Sequence, residues 1–106
     1  MPATCWPQIA ALQGRTLHTV ARHKAFTVTQ VAHAHVELTV QDGGRTRILY
    51  RKDLEPFYER LVRQGVLTIA EIKTVYKFNS SLAAALLAAL PGVMASPQPI
   101  TLRYRR

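Results

Sequence analysis

The sequence has a single cysteine, Cys5, so no internal disulfide can form and a cysteine-rich zinc module is excluded. Acidic residues are scarce: six Asp and Glu stand against fourteen Lys and Arg. No apolar run is long enough for a membrane span, because the longest, Leu82 to Val93, is short and contains Pro91 and Gly92. The opening residues, Met1 to Pro7, lack a charged stretch followed by an apolar core. No secretory signal is therefore expected, and the expected location is cytoplasmic. Ser-His-Asp spacing, a glycine-rich phosphate loop and a nucleophile elbow are all missing. Glu55 and Glu59 share a helical face with Arg63, which makes them a surface charge row rather than an acid and base pair. The reading is of a protein that is not an enzyme and has no cofactor. What remains is 106 residues, 48% hydrophobic, with a mean hydropathy near zero: one compact domain over residues 1–106 with a modest core.

The formal net charge is +8 and the sequence pI about 10.4. A small chain with such a field favours anionic partners, and with no lipidation motif the expected one is nucleic acid, DNA first and RNA second, rather than a membrane. The excess sits at the two ends of the chain. Residues 1–51 carry Arg15, Arg22, Lys24, Arg45, Arg47 and Arg51 against Glu37 and Asp42, and residues 79–106 carry Arg103, Arg105 and Arg106 with no acid.

Residues 1–51 read as strands. After a short helix, Pro7 to Gln13, stopped by Gly14, come β-branched and aromatic runs at Thr16 to Ala21, Ala25 to Val31, His35 to Gln41 and Thr46 to Arg51. The turn Asp42-Gly43-Gly44, taken as a three-residue loop, pairs Val40 with Thr46, Leu38 with Ile48 and Val36 with Tyr50 on an apolar face. Leu49 and the stripe Arg45, Arg47 and Arg51 then face solvent, available to phosphates. Arg22-His23-Lys24 reads as a basic loop tip, where an exposed charged turn is the simpler account and a phosphate contact the other.

Residues 52–106 switch to helical periodicity. Leu54, Phe57, Tyr58, Leu61 and Val62 share one side of a helix with Asp53 as its N-cap and Gly65 as its stop. Thr68-Ile69-Ala70-Glu71 has the form of a capping box opening a second helix to about Phe78, with Ile69, Ile72, Val75 and Tyr76 inward and Lys73 and Lys77 on one flank. Asn79 or Ser80 caps a third helix, Ser81 to Leu90, ended by Pro91-Gly92, and two strands follow in which Arg103 and Arg105 point outward.

This order, and above all Gly65-Val66-Leu67-Thr68-Ile69-Ala70-Glu71-Ile72, resembles the winged helix-turn-helix superfamily over Lys52 to Arg106. The resemblance implies an α+β fold in which an N-terminal antiparallel β-sheet module packs on a C-terminal winged helix-turn-helix. It also implies a recognition helix opening at Asn79, Ser80 and Ser81. That helix departs from the pattern, since base readout needs polar donors and acceptors and this one carries almost none. Its leucines are core, and Ala84, Ala85, Ala88 and Ala89 form a smooth face open to three readings: burial under the sheet, a homodimer or other protein partner, or contact with DNA backbone. The expected function is therefore non-enzymatic binding of duplex DNA through backbone contacts, with Arg45, Arg47, Arg51, Lys73, Lys77, Asn79, Ser80, Ser81, Arg103 and Arg105 as the candidate residues. The alternative is a protein-interaction module or an accessory subunit of a nucleic-acid enzyme or regulator.

Two features carry less. His33 and His35 have a spacing that suits a metal, but Glu37 is a weak third ligand and Cys5 is remote, so no metal site is expected. Trp6 and Tyr104 could stack on bases, yet a lone tryptophan near a terminus more often packs on the core.

Overall fold

The computed structural model describes residues 5–105. It is a mixed α+β fold with two antiparallel sheets. A short helix, α1 (Trp6–Ala10), precedes four strands, β1 (Thr16–His18), β2 (Ala25–Val31), β3 (His35–Val40) and β4 (Thr46–Tyr50), which pair in chain order. Then come α2 (Arg51–Gln64), β5 (Val66–Thr68), α3 (Ile69–Lys73), α4 (Ser80–Ala88), β6 (Val93–Pro97) and β7 (Ile100–Tyr104). The last three strands form the second sheet in the order β5-β7-β6. No helix among the described residues is long and apolar enough to cross a membrane.

The hairpin β3–β4 departs from the expected register by one residue. Leu38 lies opposite Arg47, Glu37 opposite Ile48 and Val36 opposite Leu49, and the Val40 amide donates to the Arg45 carbonyl. The connection is thus four residues, Gln41 to Gly44, and both Gly43 and Gly44 take positive φ, at 88° and 63°. A slip of one residue turns a whole strand over. Leu49 is fully buried, Ile48 and Tyr50 are 42% and 47% exposed, and Arg45 and Arg47 lie on the side of the sheet that carries the core. The expected solvent stripe of three arginines is not formed. What the outer face presents instead is a row of threonines, Thr16, Thr27, Thr39 and Thr46, aligned across all four strands.

Helix α2 begins at Arg51, two residues before the expected cap. Asp53 lies in its first turn and makes no N-cap bond; its carboxylate accepts instead from the Tyr76 hydroxyl at 3.2 Å. At the far end Gly65, at φ 82°, closes the helix as expected, its amide donating to the Leu61 carbonyl at 2.8 Å. Thr68 caps α3 through its hydroxyl, which accepts from the Glu71 amide. That helix stops at Lys73, five residues earlier than its periodicity suggests. The Thr74 hydroxyl donates back to the Glu71 carbonyl at 2.6 Å, an alternative to continued helical bonding. The chain then turns, so Tyr76 enters the core while Val75 stays half exposed.

Buried residues from both halves form one cluster, from Cys5, Trp6 and Ile9 through Phe26, Val28, Val36, Leu38 and Leu49 to Leu86, Leu87 and Leu102. Helix α4 lies inside it, packed against α3, β1, β6 and β7. Ala84 and Ala85 are enclosed by the chain itself and Ala88 and Ala89 are half-buried, so an outside partner has access only to the latter pair.

Candidate functional site

Unneutralised positive charge gathers where the first sheet meets the start of α4. A cleft of about 430 Å³ opens there, with Arg22, Lys24, Arg47, Lys77, Asn79, Ser80 and Ser81 in its wall. A second hollow of about 390 Å³ shares Lys24 and Arg47 with it and adds Arg45 and Asp42. Five cations and one acid therefore surround the combined depression. Among the described residues none of these five is engaged in an ion pair, whereas Arg51, Arg60 and Arg63 each have an acidic partner.

Local structure explains why these side chains converge. Arg22 and Lys24 sit on the β1–β2 connection, which Thr19 ties together: its amide donates to the Lys24 carbonyl and its hydroxyl accepts from the Lys24 amide, both at 2.9 Å. Thr19 is itself buried. His23, between the two cations, is held at φ 54°, a left-handed conformation that a non-glycine residue adopts at a cost. Arg45 and Arg47 reach the same place because of the register of β4. Arg47, half-buried, lines the cleft together with the start of α4, whereas Arg45 is exposed and lines the adjoining hollow.

The opposite wall is set by Tyr76. Its hydroxyl accepts from the Tyr50 amide at 3.0 Å and donates to Asp53, and burial raises its pKa. The phenol thereby fastens the α3–α4 connection to the start of α2, and the next two residues, Lys77 and Phe78, project outward at the cleft. Phe78 is 93% exposed.

Of the expected site residues, the structure brings together Arg45, Arg47, Lys77, Asn79, Ser80 and Ser81. It adds Arg22 and Lys24, whose loop-tip position had an alternative account as an ordinary exposed turn. Lys73, exposed at the end of α3, does not line the cleft. Arg51 is turned away: it is paired with Glu55, donates to the His33 carbonyl at 3.2 Å and lies 5.4 Å from the centre of the Trp6 ring. Arg103 and Arg105 are exposed on or beyond β7, away from the cleft. Trp6 is buried, its indole N–H donating to the Ala32 carbonyl at 2.8 Å, and Tyr104 makes an edge contact with Tyr58, so neither is a free stacking platform. Among the described residues no three His, Cys, Asp or Glu side chains lie close enough to hold a metal. From the sequence Phe78 is only the approximate end of the second helix and not a site residue; the signal available was an aromatic residue next to Lys77 and the helix cap.

No protein-family model, curated protein or solved structure matches this chain. The chemistry of the cleft therefore has to speak for itself. Its lining offers guanidinium and ammonium groups, hydroxyls and an amide, all suited to phosphate oxygens.

Proposed function

We propose that this protein is a non-enzymatic nucleic-acid-binding protein that grips the phosphate backbone in the cleft between the first sheet and α4. The observation that carries this reading is the convergence of Arg22, Lys24, Arg45, Arg47 and Lys77, from sequence positions more than fifty apart, without ion-pair partners among the described residues. Cations left unpaired next to one another repel, and an anion between them relieves that repulsion. The winged helix-turn-helix reading of residues 52–106 has support in the sheet order β5-β7-β6 and in the helices that precede and interrupt it. On that reading α4 is the recognition helix, but it is buried except for Ser81 in its first turn and the half-buried Ala88 at its end, which fits backbone contact with little base discrimination.

A salt titration tests it. Arg22, Lys24 and Lys77 are all exposed, so changing the three to Ala should leave folding intact. The slope of log affinity against log salt should fall by roughly two to three units, about one per lost phosphate contact. The pair Arg103→Ala and Arg105→Ala should leave the slope near its original value. The opposite result, with the β7 pair lowering the slope and the cleft triple not, would move the interface to the second sheet.

A further inference from the structure

We infer that Phe78 is a stacking platform for an unpaired base, so that the cleft selects single-stranded nucleic acid over duplex; this rests on the nucleic-acid reading above. Phe78 is 93% exposed, the most exposed of the large apolar side chains among the described residues. A phenylalanine left in water forgoes the favourable free energy of burying its ring. Its placement is not that of a loose loop side chain. The preceding Tyr76 is anchored in the core by two hydrogen bonds, and Phe78 stands at the margin of the cleft walled by Arg22, Lys24, Arg47 and Lys77. A ring flanked by cations around a nucleotide-sized hollow is the arrangement that binds one strand, with the phosphate in the charged cleft and the base on the aromatic face. Inside a duplex the base faces are already covered by their neighbours, which leaves the ring only the terminal pairs to stack on. The volume of about 430 Å³ is enough to admit a nucleotide.

The test compares oligothymidine, oligouridine and a blunt DNA duplex as probes for the intact protein and for Phe78→Ala and Phe78→Trp. Both single strands should bind more tightly than the duplex. Phe78→Ala should weaken them about tenfold, the equivalent of about 1.4 kcal/mol, within the range for stacking of one base. Because the ring is uncharged, the salt slope should not change, which separates this loss from that of the cleft cations. Phe78→Trp should restore binding, and its exposed indole should be quenched by the single strands against the unchanged background of buried Trp6. Tighter binding of the duplex, or single-strand affinity indifferent to Phe78→Ala, would overturn the inference while the phosphate-gripping reading survived. Absence of salt-dependent binding to all three probes would remove both. If Phe78→Ala instead abolished self-association in sedimentation, the ring would belong to a protein interface and the inference would fall.

Discussion

His23 shows how a single residue can hold a charged loop in shape. At φ 54° its Cβ is crowded against its own backbone, and Arg22 and Lys24 on either side owe their direction to that turn. Glycine has no such cost at positive φ, whereas a β-branched residue has more. His23→Gly should therefore leave stability unchanged or slightly raised, and His23→Val should lower it by about 1–2 kcal/mol, as read from urea unfolding. Other positions at this scale were open to a reader of the sequence: Gly65 as a helix stop, Thr68 as a cap and Trp6 as core all follow from local chemistry. Phe78 was not. Helical periodicity carried α3 through to it, and the turn after Lys73, where the Thr74 hydroxyl donates to the Glu71 carbonyl, leaves no trace in apolar spacing.

At the scale of elements, the sequence revealed the kinds of structure better than their alignment. The four strands, the long helix and the final hairpin form in the regions where β-branched runs and helical periodicity put them, but β1 stops at His18 instead of running to Ala21, because Thr19 bonds across the turn to Lys24, and the long helix starts at Arg51. The pairing of β3 with β4 could not be read in the same way, because Ile48-Leu49-Tyr50 is apolar throughout and buries a large side chain in either register. Conformation at Gly43 and Gly44 decides between the two, and both can take the left-handed form at no steric cost. The register has a direct consequence for mutation. Leu49→Arg places an unpaired charge in the core and should cost about 3–5 kcal/mol or prevent folding, while Ile48→Arg on the outer face should cost less than about 1 kcal/mol. Thermal unfolding of the two variants checks it; equal losses would mean that the strand is turned the other way.

Taken as a whole, the molecule works against its own net charge of +8. Self-repulsion of that kind weakens a compact state and is screened by salt. Raising NaCl from about 0.02 to 0.3 M, over which the Debye length shortens severalfold, should raise the melting temperature by a few degrees. A gain of about 1 kcal/mol corresponds to roughly 4–8 °C in a domain of this size. The same series should weaken nucleic-acid binding, so stability and affinity move in opposite directions. The variant lacking Arg22, Lys24 and Lys77 should show the smaller response in both, by calorimetry and by titration; a melting temperature flat with salt in the parent protein would sink the repulsion argument. The cleft also bears on how such a chain can change over generations. One wall comes from residues 19–47 and the other from residues 77–82, and the two meet only because the halves share a core. Neither half carries the site alone. A recombination that replaced either one would have to conserve the seam between them as well as its own fold, and so the two halves are bound to be inherited as a pair.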